Sequence, residues 1–413
     1  RYALRIENNS PQDLTRNVNY FSTADLFKFR GSLYSAEFQW RVASGIATLL
    51  TPILAILIAL ASRRSSWYLG LITAVSVYFV YNNILGVSIS LANLNLKSDF
   101  AIFEIGTNNF NEIKKLTKIV LPQQVIITNI YPTHLENLIS TRNIAKEKSD
   151  IFNPKYNPNI ELLVLPNLNK DDLYLNNLSK KYKINKLLTF GKKDTSTYKL
   201  SNFKLKNNKI CELSIYFNNK INKFDTNILI EYQFYNLIIS LIIIQHNKLN
   251  INNFYNKLKK IPLVDGRGLS HKVFLKNKRI NLIDESYNAS PQSVENCILY
   301  FDEMKKKKLQ KKILLIGKMN ELGKLEYYYH KKIVILIKKT KIDNVLFVGN
   351  IYRRILNLKK INDKRFLFFV NENELFSFFY NKLKKDDIIL AKGSNSTIVN
   401  KFIKKILLNE GKI

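Results

Sequence analysis

The stretch Ile313-Leu-Leu-Ile-Gly-Lys-Met-Asn-Glu-Leu-Gly323 decides the fold. Ile313 to Ile316 is a short apolar run bounded by glycine, which fits a strand buried on both faces. From Tyr328 to Lys338 apolar residues return at helical spacing, and Val345 to Val348 is again a short apolar run. Strand, helix, strand is the repeating unit of doubly wound α/β layers. The same alternation continues on both sides. Further strands are expected at Phe100 to Ile105, Val125 to Ile130, Glu161 to Leu165 and Asp387 to Leu390. Further helices are expected at Glu112 to Ile119, Glu231 to His246, Gln292 to Met304 and Ser396 to Leu407. Lys259-Lys-Ile-Pro-Leu-Val-Asp-Gly-Arg-Gly268 interrupts this pattern with turn-forming residues, so a domain boundary is expected there.

Composition supports a globular reading. A chain of 413 residues has a prior of two to three domains. The net charge is +33, but 46% apolar and 12% aromatic content is too rich in core-forming residues for a disordered polycation. The charge is unevenly distributed. Residues 1 to 81 hold 7 Arg and 1 Lys, whereas residues 82 to 413 hold 6 Arg and 51 Lys. Two coding biases meet near residue 82. The lysines are scattered rather than gathered with aromatics on one face, so they read as solvated surface and no nucleic-acid partner is expected. Cys211 and Cys297 are too few for a disulfide framework or a multi-cysteine zinc site. The chain opens at Arg1 without an initiator Met and reads as a piece of something longer.

Two uncharged runs precede residue 93. Val42 to Ala61 and Trp67 to Ala92 are each long enough to span a bilayer, and Arg63 and Arg64 lie between them. A two-helix transmembrane hairpin over 41–92 is therefore expected, with its turn on the cytoplasmic side. A pair of buried helices in a soluble protein is the alternative. With the turn inside, the second span delivers residues 99 to 413 to the periplasm, away from ATP. Tyr34-Ser-Ala-Glu-Phe-Gln-Trp-Arg41, followed by these spans, resembles the lipopolysaccharide export permeases that work with an ATP-binding cassette (ABC) ATPase. By that resemblance, residues 1–40 are the end of a periplasmic jellyroll-like segment and the chain is associated with the inner membrane.

A second resemblance covers residues 82 to 413. Asn82-Asn-Ile-Leu-Gly-Val-Ser-Ile-Ser-Leu91, Phe100-Ala-Ile-Phe-Glu-Ile-Gly106, Thr128-Asn-Ile-Tyr-Pro-Thr-His-Leu-Glu136 and Ala145-Lys-Glu-Lys-Ser-Asp-Ile-Phe152 occur in order. Asp265-Gly-Arg-Gly268, Leu282-Ile-Asp-Glu-Ser-Tyr-Asn-Ala-Ser-Pro291, Gly317-Lys-Met-Asn-Glu-Leu-Gly323 and Lys392-Gly-Ser394 follow. This ordered set resembles the Mur ligases, cytoplasmic enzymes, and among them those that join D-alanyl-D-alanine to UDP-N-acetylmuramoyl-tripeptide. The resemblance implies a Mur ligase central domain over 93–262 and a Rossmann-like C-terminal domain over 263–413. It also implies ATP and Mg²⁺ as cofactors, with ligation through an acyl phosphate.

What the resemblance implies for individual residues follows from that chemistry. Phosphoryl charge has to be neutralised, and oxygen ligands hold Mg²⁺ for the purpose. Glu104 matches a magnesium ligand, His134 the metal-site histidine and Lys148 the lysine that these enzymes carbamylate; the last two are also the candidate catalytic residues. Arg267, Asp284, Glu285 and Asn288 match positions on the nucleotide side, and Asn82, Asn83, Lys392 and Ser394 match substrate-binding positions. Taken singly, Glu104 reads rather as a strand-end carboxylate in a surface ion pair and His134 as an ordinary satisfied histidine, while Arg267 reads equally as an exposed side chain. Ser290 reads as the cap of the helix that follows. Lys318 stands where the family pattern commonly has Asp.

One expected feature is missing from the sequence. The phosphate-cradling Gly-x-x-x-x-Gly-Lys-Ser/Thr loop does not occur in these 413 residues. Gly317 to Lys324 has five residues between its glycines and Leu325 after the lysine, so it fails in spacing and in chemistry. The segment that grips the uridine nucleotide is absent as well, and the permease-like hairpin stands in its place. The sequence reads as a junction of two unrelated reading frames, giving a ligase with little or no activity. A permease fragment, or a non-catalytic ligase-like module on a membrane anchor, are the competing readings.

Overall fold

A computed structural model describes residues 98–275 and 278–409, together with Val87, Ser90, Leu91 and Leu94. The described residues fall into two compact units, one holding those up to Gly106 with Ile113–Leu121, the other Thr107–Glu112 with everything from Pro122. Helix α1 (Glu112–Val120) runs across that division.

The larger unit contains two six-stranded sheets. The first is built from β1 (Gln124–Ile126), β2 (Leu162–Asn167), β3 (Leu187–Gly191), β4 (Tyr198–Asn207), β5 (Ile210–Phe217) and β6 (Lys220–Thr226), in that spatial order. Strands β1 to β4 are parallel neighbours, and β4, β5 and β6 form an antiparallel meander. Between β1 and β2 lie α2 (Leu135–Leu138) and α3 (Thr141–Ser149), and α4 (Asp171–Lys181) lies between β2 and β3. After β6 come α5 (Glu231–His246) and α6 (Ile251–Lys257).

Strand β2 is buried at all six positions, as a central parallel strand covered on both faces must be. Leu163 and Leu165 join the core with Ile144 of α3 and Leu175 of α4. Leu162 and Val164 face the opposite core, with Phe234, Ile238 and Ile242 of α5. In the meander, β5 instead alternates, burying Cys211, Leu213, Ile215 and Phe217. The two-residue turn to β6 is Asn218-Asn219, with φ of 50° and 59°, the left-handed pair that a tight hairpin requires.

The second sheet has the order β11-β10-β9-β12-β8-β7. Its elements are β7 (Leu269–Leu275), β8 (Lys278–Glu285), α7 (Pro291–Glu303), β9 (Lys312–Ile316), α8 (Glu326–Lys338) and β10 (Asn344–Val348), then α9 (Asn350–Leu358), β11 (Phe366–Phe369), α10 (Glu372–Lys382), β12 (Ile388–Lys392) and α11 (Ile398–Asn409). Among the described residues of this sheet, β7 with β8 is the one antiparallel pairing. Leu314 and Ile316 of β9 pack with α7, α8 and α9, whereas Ile313 and Leu315 pack on the other face with Phe379 of α10 and Phe402 of α11. Helices therefore cover both faces, as the sequence alternation predicted. The core beneath α7, α8 and α9 is continuous with the one under α3 and α4 of the first sheet.

One predicted element is corrected. No strand forms over Phe100 to Ile105: the segment carries no ladder among the described residues, and Ile102 is 87% exposed. An apolar run becomes a strand only where a neighbouring backbone satisfies its N–H and C=O groups. The predicted strand from Val125 to Ile130 shortens to β1 and gives way to a loop leading to His134. The predicted transmembrane hairpin over 41–92 lies almost entirely outside the described residues, as do Asn82 and Asn83. Among the described residues no helix is long and apolar enough to cross a membrane.

Candidate functional site

Open α/β sheets present ligands at the carboxyl ends of their strands. In the second sheet the register sets Lys392 of β12 opposite Glu285 of β8 on one side and Ile316 of β9 on the other. The segments Asp284–Asn288, Gly317–Gly323 and Lys392–Ser394 thus open from adjacent strand ends. Gly317 N donates to the carbonyl of Lys392 at 2.7 Å, and Asn320 N to Ser394 Oγ at 3.1 Å. Both glycines sit close to the segment that opens α11: a Cβ on Gly317 would lie 2.9 Å from Val399 Cγ2, and one on Gly393 3.0 Å from Thr397 Oγ1.

The loop after β9 is fixed through its backbone. Tyr352 Oη donates to the Gly317 carbonyl at 3.0 Å, and Met319 N donates to Nε2 of the buried His330 at 3.0 Å. His330 Nδ1 lies 2.8 Å from the carbonyl of Glu326 and is its donor partner once Nε2 accepts. Burial lowers the His330 imidazole to about 4, consistent with a neutral ring in this role. Met319 and Leu322 are buried, which leaves Glu321 between them at the surface with φ of 64°.

Two of the predicted residues, Glu285 and Lys392, meet inside the protein. Glu285 is 1% exposed, and its Oε2 pairs with Nζ of the equally enclosed Lys392 at 3.2 Å. Tyr232 Oη, at the start of α5, donates to the same carboxylate at 3.1 Å, and Gln233 Nε2 approaches it at 3.4 Å. Lys392 Nζ also donates to the carbonyl of Asn288 at 2.6 Å. Buried charges persist where they are paired and hydrogen-bonded, and this pair is both. Burial, with the Glu285 charge next, raises the Tyr232 phenol well above its ordinary value. Burial does the same to the Cys297 thiol, which lies against Glu285. Asp284 turns inward, its Oδ1 accepting from N and Oγ of Ser286 at 3.0 and 2.6 Å. Arg267 is exposed, with its guanidinium 4.8 Å from the centre of the Tyr287 ring, and its carbonyl accepts from Gln233 Nε2.

On the first sheet, Lys148 of α3 donates to the carbonyl of Asn129 at 3.0 Å, bracing the loop that leads to His134. Burial lowers its ammonium to about 8. His134 sits at the N-terminus of α2 in the left-handed region, with φ of 54°. Its Nδ1 is 2.6 Å from Glu321 Oε2 of the second sheet's loop, and the hydrogen bond from His134 holds the Glu321 carboxyl below its ordinary value. Glu104 is exposed and belongs to the other compact unit.

Magnesium takes a shell of oxygen ligands. Among the described residues no three His, Cys, Asp or Glu side chains gather as a metal site. Lys148 brings an ammonium-bearing chain already bonded to a carbonyl, and His134, with Nδ1 on Glu321, can offer no more than the single donor Nε2. As they stand these residues do not fit a magnesium ion, and no step below is routed through one. The sequence reading did not single out Glu321, Asn320, Tyr232 or Gln233. Glu321 and Asn320 lie inside the quoted Gly317–Gly323 stretch, whereas Tyr232 and Gln233 open a helix that carries no motif.

Two packed α/β sheets, with signature segments at adjacent strand ends, define a ligase of the Mur type, and the chain belongs to that family. Residues 53–244 match the Mur ligase middle domain and residues 272–395 the Mur ligase glutamate ligase domain. The curated UDP-N-acetylmuramoyl-tripeptide–D-alanyl-D-alanine ligase of Rickettsia prowazekii is 31% identical over 327 residues, covering 78% of this chain and 70% of the relative. The ligase of the same name from Buchnera aphidicola (Baizongia pistaciae) is 28% identical, covering 81% and 69%. Among solved structures, MurF from Acinetobacter baumannii superposes with a TM-score of 0.65 at 17% identity, covering 79% of this chain and 68% of that one. MurF of Thermotoga maritima, solved with ADP, gives 0.60 at 19% identity, covering 72% and 65%. Residues 1–103 match the lipopolysaccharide export system permease LptF/LptG, so the two family matches overlap across 53–103 and bracket the compositional seam at residue 82.

Proposed function

We propose that the ligase portion of this chain derives from an ATP-dependent enzyme of peptidoglycan precursor synthesis. In that reaction a carboxylate oxygen of UDP-N-acetylmuramoyl-tripeptide attacks the γ-phosphorus of ATP, releasing ADP and forming an acyl phosphate. The amine of D-alanyl-D-alanine then attacks the acyl carbon, gives up a proton and expels phosphate, leaving the amide. The observation that carries this reading is the convergence of the Asp284, Gly317 and Lys392 segments at neighbouring strand ends, with the loop bearing His134 held against the second of them. Lys148, lowered to about 8, has a substantial neutral fraction near that pH, the form in which an amine adds carbon dioxide to become a carbamate.

The sequence given contains no triphosphate-cradling loop. Backbone N–H groups around the β and γ phosphates do much of the electrostatic work in phosphoryl transfer. The 413-residue chain is therefore expected to turn over no ATP above background with both substrates and Mg²⁺. A chimera joining the part of the R. prowazekii ligase that precedes the matched region to residues 93–413 is expected to form the amide, detected by mass. Turnover by the chain alone would refute the missing-loop reading. A folded but inactive chimera would refute the ligase reading. The permease-like match over residues 1–103 favours a second reading, a membrane component of lipopolysaccharide export working with an ABC ATPase, and that reading gains if the chimera fails.

A further inference from the structure

We propose that Glu321 is a positioning residue that fixes the imidazole of His134 from across the junction between the two sheets. What the histidine then does in the reaction rests on the ligase reading; its orientation does not. The contact joins two elements that are each held from behind. On one side, Tyr352, His330 and Ser394 bond the backbone of Gly317, Met319 and Asn320, so the loop that carries Glu321 is a fixed platform. On the other, Lys148 braces Asn129, and buried Leu135 and Leu138 seat α2.

The Gly317–Gly323 loop and the start of α2 approach one another closely. His134 Nδ1 meets Glu321 Oε2 at 2.6 Å, Glu136 N donates to the Glu321 carbonyl at 3.1 Å, and a Cβ on Gly323 would come within 3.0 Å of Glu136 Cα. Both His134 and Glu321 occupy the left-handed region, a costly conformation for residues with a Cβ that persists where the surroundings impose it. Ile139, at the far end of α2, is also at positive φ, 68°. A carboxylate on Nδ1 fixes the tautomer and the plane of an imidazole, and any task for the ring then falls to Nε2. Because the carboxylate comes from the second sheet, the histidine reaches this state only when the two sheets are docked.

The test is ¹⁵N NMR of the imidazoles of the full chain, which has four histidines, at pH 8. A proton on Nδ1 of His134 is expected in the wild type, lost from most molecules in Glu321→Ala and restored in Glu321→Gln, whose side-chain carbonyl still accepts. The Glu136 amide, which donates to the main-chain carbonyl of residue 321, is expected to keep its protection from solvent exchange in a folded Glu321→Ala, so that the change is confined to the imidazole. A bare Nδ1 in the wild type overturns the proposal even if the variants fail to fold. So does an unchanged tautomer in a folded Glu321→Ala. Neither readout involves turnover, so this result and the ligation assay fail independently.

Discussion

At the residue scale, His330 carries a pH dependence whose sign is fixed by its hydrogen bonds. Its Nε2 accepts from Met319 N, so protonation there breaks a buried bond. The folded ring titrates at about 4 and an unfolded one at about 6.5. Between those values the unfolded chain binds a proton that the folded chain does not, so the contribution is complete above about pH 6.5 and is lost as the pH falls toward 4. The size is about 3 kcal/mol at most. Urea unfolding at a series of pH values is expected to show a shallower loss between pH 6.5 and 4 in His330→Gln than in the wild type; parallel curves would contradict this. Glu285 and Lys392 show the limit of reading residues singly. Both were legible as members of motifs, but each is the other's partner, and only the register of β8 against β12 reveals it.

At the scale of elements, α7 begins as its sequence says it should. Ser290 Oγ accepts from Ser293 N, Ser293 Oγ accepts from Ser290 N, and Pro291 occupies the first turn, where its missing N–H costs nothing. Ser290→Ala is expected to lower stability by about 1 kcal/mol, read from the denaturation midpoint. The predicted span of α5, Glu231 to His246, matches the observed helix end to end, because a long apolar segment leaves little ambiguity of type. The antiparallel meander was less legible. Strand β4 is mostly exposed beyond its first residues and rich in Lys and Asn, so its alternation is weak. Phe100 to Ile105 failed for the opposite reason: its composition is strand-like, but pairing is a property of neighbours. The same reason hid the Glu321 to His134 contact, which joins residues far apart in the chain.

For the whole molecule, the core that runs from Val125 through Ile316 to Leu390 ties the two sheets of the larger unit together. A shared core predicts shared unfolding. Amides of β2 and β9, the interior strands of the two sheets, are expected to exchange with the same free energy in hydrogen exchange at rising denaturant. Two well-separated values would show that the sheets unfold independently. The loop from Gly317 to Gly323 carries a last consequence for how such a molecule changes over time. Its course is set by main-chain bonds to Tyr352, His330 and Ser394, so the side chain at 318 can be exchanged without disturbing its path. Lys318, where an aspartate was expected, has found a local counterion in Glu326 at 2.5 Å. A scaffold held by its backbone can absorb a strong mutational bias toward lysine, and its outline stays recognisable after much of its surface has been rewritten.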